Sequence, residues 1–232
     1  MVKSSPRLFK HGFTLIELLI VMALIAILAA LATRVFKSVL DRAKATKDMS
    51  NLRQMGIAMQ TYLNDSDQIL PVSTTWPGTT AGPTPNPGLY PKYVATRKVF
   101  QSPFDKRTPS EANDGTPPIS YSINTNMYAK LGTNPSMLKV VSPASTFLMA
   151  PNYAHAPGDP GNSGSWPGIA GNAPDLLVGG TGETTGTHNN GRQINVLFCD
   201  WHTESVSFGP GTGTFQDSTS NPLGLKHWDP TQ

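Results

Sequence analysis

Residues 10–36 read KHGFTLIELLIVMALIAILAALATRVF, and the rest of the chain is interpreted from this segment. From residue 13 to residue 32 the side chains are almost all apolar, and about 20 such residues in a helix cross a bilayer core of roughly 30 Å. Glu17 places a carboxylate about one helical turn from the start of this run, where an unpaired charge is costly. The stretch therefore predicts a membrane helix with an acid that needs a partner.

The string KHGFTLIE around this acid resembles the class III signal of type IV pilins and of the pseudopilins of type II secretion systems. The resemblance implies that residues 1–12 are a leader peptide, that a prepilin peptidase cuts between Gly12 and Phe13, and that the new amino terminus of Phe13 is methylated. It also implies that Glu17 neutralises the amino terminus of a neighbouring subunit entering a filament. Such a pair turns two expensive charges inside the membrane into one contact that sets the register of the subunits.

Two simpler interpretations of the apolar run stay open. An ordinary secretory signal also has a basic start and an apolar core, and Ala30-Leu31-Ala32 offers the small residues of its cleavage site. A plain single-span anchor explains the length of the run. Neither interpretation gives a reason for Glu17 or for the GFTLIE string.

The charge of the chain is unevenly distributed. The 232 residues carry 18 basic and 15 acidic side chains, but three of the bases lie in the predicted leader, so the processed protein is formally neutral. Six bases and two acids lie between residues 34 and 53, and nine bases and twelve acids follow. A basic helix beside a slightly acidic head favours packing of one subunit's head on another's helix, although a solvated face is the commoner origin of such charge.

The helix is predicted to continue beyond the membrane run to about Leu63, because no helix breaker occurs before the Asn64-Asp65-Ser66 cluster. Gly56 is the weak point of this second half. The apolar residues that recur at helical spacing, and are expected to cover a globular head, are Val35, Val39, Leu40, Ala43, Leu52, Met55, Met59, Tyr62 and Leu63. The predicted organisation is a leader (1–12), a transmembrane half-helix (13–36), an amphipathic half-helix (37–66) and a globular head (67–232).

The head alternates short strand candidates with loops rich in glycine and proline. Strands are predicted at 119–124, 140–141, 146–149, 194–199 and 202–208, and a short turn joins the last two into a hairpin. Loops are predicted at 72–88, 105–118 and 151–191, and a short ordered segment at 89–104. The predicted class is therefore α+β, a long N-terminal helix packed on a small antiparallel sheet, which is the pilin fold in the family that the chain resembles.

Two further stretches, 51–71 and 188–208, resemble segments of pilin-like proteins of environmental bacteria. The second is similar to a motif of a histidine, a spacer, and Asp-Gly followed by histidine, with His188, Asp200 and His202 at the matching positions. The spacer is two residues longer here, and Trp201 stands where the motif has glycine. Because glycine suits the positive φ of a tight hairpin turn, the tryptophan predicts a different turn.

The same region contains possible metal ligands. Zinc and manganese accept histidine and carboxylate ligands, and four such side chains lie here, His188, Asp200, His202 and Glu204. Residues two apart share a face only along one continuous strand, so a hairpin turn is expected to separate them. Calcium is the other candidate, because pseudopilins often hold it in a C-terminal loop, but Asp217, Asn221 and Asp229 are scattered along the sequence. Hydrogen bonding or interface packing is the predicted role, and no cofactor is expected.

No pattern of residues indicates catalysis. Neither Gly-x-Ser-x-Gly, nor a phosphate-binding loop, nor His-Glu-x-x-His occurs in the sequence. Cys199 is the single cysteine, which excludes an intrachain disulfide, and it lies in an apolar run where a buried thiol is the usual outcome. The head also lacks a basic cluster interleaved with aromatic residues. The chain is therefore predicted to be neither an enzyme nor a nucleic-acid-binding protein.

The prediction for the whole chain is a structural subunit of a pilin-like filament, similar to the major pseudopilin of type II secretion systems, which forms a periplasmic filament for protein export. The resemblance implies partners: further copies and other pilins, a prepilin peptidase, an assembly ATPase, an inner-membrane platform and membrane lipid. It also implies a single-pass bacterial inner-membrane protein whose head is periplasmic before it enters a periplasmic or cell-surface filament. The alternatives are a type IV pilus subunit for adhesion or motility and a membrane-anchored binding module that never polymerises.

Overall fold

The computed structural model describes residues 14–71, 88–105, 119–124, 126–151, 187–189, 192–207, 227 and 229–232, with the backbone alone at 32–35. Within these ranges the elements are α1 (Leu15–Asp65), β1 (Tyr121–Ile123), α2 (Asn126–Leu131), β2 (Phe147–Pro151), β3 (Gln193–Phe198) and β4 (Thr203–Ser207), with 3-10 helices at Arg97–Phe100 and Met137–Lys139. By its contacts the chain divides into two compact units, Met1–Asp41 and Arg42–Gln232, and each is described by itself.

The described part of the first unit is the N-terminal portion of α1. Its apolar side chains are exposed, from Leu15 at 88% to Val21 at 44%, and none of its most apolar 18-residue window is buried. A helix that is apolar on every side suits lipid, and this one is long and apolar enough to cross a membrane. The predicted leader lies outside the described residues, and the division at residues 12, 36 and 66 stays a prediction.

The second unit contains one sheet in which the described strands follow chain order, β1-β2-β3-β4, and each neighbouring pair is antiparallel. β3 and β4 form the predicted hairpin, with Gln193 opposite Ser207. A bulge between Phe147 and Met149 shifts the register of β2 against β3. The long helix and the small antiparallel sheet confirm the predicted α+β class.

One face of α1 in this unit is buried in the head core, and its apolar residues are Leu52, Met55, Ala58, Met59, Tyr62 and Leu63. Gly56 lies on the same face, where a Cβ atom built on it would meet Leu197 Cδ1 of β3 at 3.2 Å. This distance is shorter than an ordinary van der Waals contact, so β3 approaches α1 most easily where no side chain intervenes. Gly56, which lowers the helix propensity of α1, therefore allows the close packing of β3 on the helix.

The predicted apolar stripe extends further along α1 than the buried face does. The side chains of Val39 and Leu40, which belong to the first unit, are exposed. Among the described side chains of α1, Asp48 is the first that is buried. Helical spacing identifies a face of the helix, but the length of that face that packs depends on where the sheet lies.

Residues 140–141 do not form the predicted strand. They follow the 3-10 helix Met137–Lys139, and the Val140 amide donates to Met137 O at 3.3 Å. The Val141 amide donates to Pro230 O at 2.9 Å. Both amides are therefore satisfied by a turn and by the C-terminal residues, and neither needs a strand partner.

The C-terminal residues 229–232 dock on the head through Asp229, which is buried. Its carboxylate accepts hydrogen bonds from the Lys130 ammonium and from the Thr231 amide and hydroxyl, the last two at 3.0 and 2.7 Å. Burial raises the pKa of Asp229, but the hydrogen bonds from Lys130 and Thr231 outweigh burial and hold the pKa below its ordinary value. An ionised carboxylate therefore fastens these residues to α2.

Candidate functional site

Glu17 occupies the third position of α1 and closes a capping box with Thr14. The Thr14 amide and hydroxyl both donate to Glu17 Oε2 at 2.8 Å, and the Glu17 amide donates back to Thr14 Oγ1 at 3.3 Å. This reciprocal pair satisfies donors that have no partner inside the helix. Thr-x-x-Glu before an apolar run is the sequence signal of such a cap, which the sequence analysis did not use when it assigned Glu17 a partner in a neighbouring subunit.

The capping box leaves one oxygen of the Glu17 carboxylate open to a further contact. Both bonds from Thr14 end on Oε2, and no described residue donates to Oε1. The carboxylate can therefore accept an ammonium group while the cap stays closed. Gly12 and Phe13, the predicted processing residues, lie outside the described residues, so the roles predicted for Gly12, Phe13 and Glu17 stay predictions.

The C-terminal motif lies at the turn of the β3–β4 hairpin. Trp201 has φ = 76°, in the left-handed region that glycine adopts most easily, and its amide donates to Phe198 O at 3.0 Å. The prediction of a different turn is wrong in this respect, because the tryptophan takes the kind of conformation expected of glycine. Its indole packs partly buried against the head core, which offsets a backbone cost of about 1–2 kcal/mol.

This turn brings Asp200 and His202 together. His202 Nδ1 lies 2.5 Å from Asp200 Oδ1, and the imidazole stacks on the Phe198 ring with centroids 4.0 Å apart. Glu204 Oε2 lies 3.9 Å from His202 Nε2. The expectation that a hairpin turn separates the motif residues is therefore wrong for Asp200 and His202, because the left-handed turn folds their side chains onto one another.

His188 contacts another part of the hairpin. Its backbone bridges Gln193, its ring stacks on Phe104 with centroids 5.8 Å apart, and its Nε2 lies 3.3 Å from Ser205 Oγ. Within the described ranges, no group of three or more histidine, cysteine, aspartate or glutamate side chains is placed to hold a metal ion. The second motif histidine, His202, contacts Asp200 instead.

The structure also describes the surroundings of Asp229, a candidate calcium ligand, and of Cys199. Asp229 is engaged by Lys130 and Thr231, while Asp217 lies outside the described residues. Burial raises the pKa of the Cys199 thiol well above its ordinary value, as does the charge of Asp200. The predicted buried cysteine is confirmed, and its thiol is in its unreactive form.

Asp48 is a fully buried ionisable group that the sequence analysis did not single out. It is 0% exposed, and its carboxylate accepts hydrogen bonds from Ser102 Oγ at 2.6 Å, Tyr121 Oη at 2.5 Å and Asn195 Nδ2 at 2.9 Å. Burial raises the pKa of Asp48, and the three hydrogen bonds act in the opposite direction. The sequence did contain a signal of this burial, because Asp48 lies four residues before Leu52 and therefore on the apolar face of the helix.

Comparisons with known proteins found one family motif and several similar proteins. Residues 7–33 match the prokaryotic N-terminal methylation motif. Two type IV major fimbrial proteins FimA of Dichelobacter nodosus are 44% identical over 59 residues and 38% identical over 69 residues, covering 25% and 30% of this chain and 38% and 44% of those proteins. A probable minor fimbrial protein of the same bacterium is 38% identical over 55 residues, covering 24% of this chain and 35% of that protein.

These similarities define a class for part of the chain. A membrane-length helix that carries a methylation motif, together with the similarity of part of the chain to type IV fimbrial proteins, supports a type IV pilin-like protein. The chain spans less than half of the length of the curated relatives it matches. No solved structure matches this chain.

Proposed function

We propose that this chain is a structural, non-catalytic subunit of a type IV pilin-like filament. The observation that carries the proposal is the position of Glu17, a carboxylate with one open oxygen at the start of a membrane-length helix and inside a methylation motif. In the proposed mechanism a prepilin peptidase cuts after Gly12, and Phe13 becomes the methylated amino terminus. The amine of one subunit then meets the open oxygen of Glu17 in the next.

The physical reason for this pairing is the low polarity of the membrane. A lone ammonium or carboxylate is expensive there, whereas two opposite charges in contact offset much of that cost. The contact forms only when two helices stand in the correct axial register, so it selects the correct assembly as well as stabilising it. The proposed partners are further copies and other pilins, the peptidase, an assembly ATPase, an inner-membrane platform and membrane lipid.

The secretion pseudopilus is the finer proposal for the filament, on the strength of the resemblance in the sequence. The surface pilus is the second candidate, favoured by the fimbrial names of the relatives. Cell-surface pili break off when cells are sheared, whereas a short periplasmic filament stays with the cell. Recovery of this chain in a sheared fraction therefore supports the pilus, and its retention with a defect in protein export upon deletion supports the pseudopilus.

The capping box allows the pairing role of Glu17 to be tested apart from its role in the helix. Glu17→Gln keeps a side chain that is able to cap the helix but removes the charge, whereas Thr14→Val removes the capping hydroxyl and keeps the charge. In a bacterium with its own assembly machinery, we expect Glu17→Gln to reduce the cross-linked or sedimentable filament by about tenfold or more, and Thr14→Val to retain assembly.

Mass spectrometry of the mature amino terminus completes the test. The expected result is a chain that begins with methylated Phe13. A start at Thr33 or an intact Met1 in cells with an active peptidase contradicts the proposal, as does normal assembly of the Glu17→Gln variant. A monomeric protein that is indifferent to the charge at position 17 would instead support a membrane-anchored binding module.

A further inference from the structure

A row of hydrogen bonds leads from the buried carboxylate of Asp48 to His188. Asn195 Nδ2 lies 2.9 Å from Asp48 Oδ2, Ser205 Oγ lies 2.5 Å from Asn195 Oδ1, and His188 Nε2 lies 3.3 Å from Ser205 Oγ. These four side chains, here called the polar row, belong to α1, β3, β4 and the segment 187–189. Asp48 and Asn195 are 0% exposed, and His188 is 8% exposed.

The donor and the acceptor of each hydrogen bond in the polar row can be assigned in turn, starting from Asp48. Asn195 Nδ2 faces two acceptor oxygens, Asp48 Oδ2 and the Ala45 carbonyl, each at 2.9 Å, and the carbonyl oxygen can only accept. This arrangement fixes the orientation of the Asn195 amide and turns its Oδ1 toward Ser205. The Ser205 hydroxyl must then donate its one hydrogen to Asn195, and its oxygen is left to accept from His188.

The same reasoning fixes the imidazole. If Ser205 Oγ accepts, the hydrogen of neutral His188 sits on Nε2, and Nδ1 carries a lone pair. Thr187 Oγ1 lies 3.1 Å from this Nδ1 and is able to donate its one hydrogen there or to Gln193 O at 3.5 Å. Both ring nitrogens of the Nε2–H tautomer thus have suitable partners, whereas the Nδ1–H tautomer would face Ser205 with a lone pair and the serine has no second hydrogen to offer.

We propose that Asp48, acting through Asn195 and Ser205, holds His188 as the Nε2–H tautomer and thereby anchors the segment 187–189 on the hairpin. His188 thereby positions the backbone hydrogen bonds that this segment makes with Gln193. The Thr187 and His188 amides donate to Gln193 O at 2.9 and 3.1 Å, and the Gln193 amide donates to His188 O at 3.2 Å. His188 is a positioning residue in this assignment, and the assignment does not depend on filament assembly.

Packing alone is the competing explanation. The ring of His188 stacks on Phe104, with Lys44 Nζ 5.9 Å from the Phe104 centroid, and this stack would hold the ring whatever its tautomer. The two explanations differ in their dependence on Ser205, which is the link between His188 and the buried amide. They also differ in the tautomer, which packing does not select.

The test is ¹⁵N NMR of the full chain in detergent micelles at a pH where the histidines are neutral. We expect the His188 signals of the Nε2–H tautomer in the unmodified protein. Ser205→Ala should mix the tautomers and raise the amide exchange rates of His188 and Gln193 by about tenfold, because one hydrogen bond is lost. Ser205→Thr keeps the hydroxyl and should restore both readings, and Ser207→Ala is the control on the same strand.

Two results would overturn the assignment. One is an Nδ1–H tautomer in the unmodified protein, a measurement that needs no variant to fold. The other is a Ser205→Ala variant whose His188 signals and amide exchange rates equal those of the Ser207→Ala control. In either case the stack on Phe104 positions His188, and the polar row does not.

Discussion

Asp48 of α1 and Tyr121 of β1 meet in the interior of the head, where the phenol donates a 2.5 Å hydrogen bond to the carboxylate. Ser102 and Asn195 donate to the same carboxylate from two other segments. One turn of the long helix is thereby joined to the segment before β1, to β1 itself and to β3. Burial and the charge of Asp48 both raise the pKa of Tyr121, so the phenol keeps the hydrogen that it donates.

Removing either partner of this contact should destabilise the head. Tyr121→Phe leaves the carboxylate with two donors and should lower the free energy of unfolding by about 1–2 kcal/mol, whereas Asp48→Ala leaves three polar groups without their acceptor and should lower it by about 3 kcal/mol or more. Denaturant unfolding of the full chain in detergent, followed by tryptophan fluorescence, measures both. Tyr93→Phe removes a surface bond to Asp65 and is the control, with an expected change below about 1 kcal/mol. Equal effects of the two tyrosine variants would contradict this prediction.

The raised pKa of Asp48 predicts a pH dependence of stability. The folded head binds the Asp48 proton more tightly than the unfolded chain, whose pKa is the ordinary 3.8. The contribution of Asp48 to stability is therefore full below pH 3.8 and declines as the pH rises through the raised folded value. Asp48→Asn should abolish this slope, measured as the free energy of unfolding across pH 3–8.

Asp229 should show the opposite pH dependence. Its folded pKa lies below the ordinary 3.8, so its contribution to stability is present above pH 3.8 and is lost as the pH falls through the lowered folded value. Asp229→Asn should lower the free energy of unfolding at pH 7 by about 1–2 kcal/mol. It should also reduce the loss of stability at acid pH, here called the acid limb of the stability curve. An acid limb that is unchanged in the variant would show that Asp229 is not the group that titrates.

The left-handed conformation of Trp201 predicts an unusual order of two substitutions. Trp201→Gly and Trp201→Ala both lose the indole contacts, but only alanine keeps the backbone cost at φ = 76°. The glycine variant should therefore be more stable than the alanine variant by about 1 kcal/mol. At Thr203 in β4 the same two substitutions should take the opposite order, since glycine weakens a strand. The midpoints of thermal unfolding of the four variants test this prediction, and the same order of glycine and alanine at both positions would contradict it.

The close approach of α1 and β3 predicts that Gly56 and Leu197 are energetically coupled. Alanine at position 56 gains about 1 kcal/mol of helix propensity, but its Cβ would meet Leu197 Cδ1 at 3.2 Å. Gly56→Ala should therefore stabilise the head more in a Leu197→Val background, where the contacting methyl groups are gone, than in the unmodified protein. A double-mutant cycle measures the difference, and additivity within about 0.3 kcal/mol would contradict the prediction.

Local patterns account for the elements that were predicted correctly. The extent of α1, the strands at 121–123 and 147–151, and the β3–β4 hairpin follow from helical spacing, alternation and turn residues, which act over a few positions in the chain. The predictions that failed did so because of contacts between residues that lie far apart in the sequence. Residues 140–141 have strand composition, yet the Val141 amide finds its acceptor in Pro230, and Trp201 tolerates a glycine-like turn because its ring has the core to pack on.

By itself the sequence determined the membrane-length helix, the methylation motif and the acid inside it, because length, apolarity and order along the chain are properties that no folding changes. The roles of Asp48 and His188 depend on the folded arrangement of the head. The donors to Asp48 come from positions 54, 73 and 147 residues away, and the serine that meets His188 lies 17 residues on, across the β3–β4 hairpin. Whether a carboxylate loses its water and which hydrogen an imidazole keeps depend on such neighbours, which only the folded chain brings together.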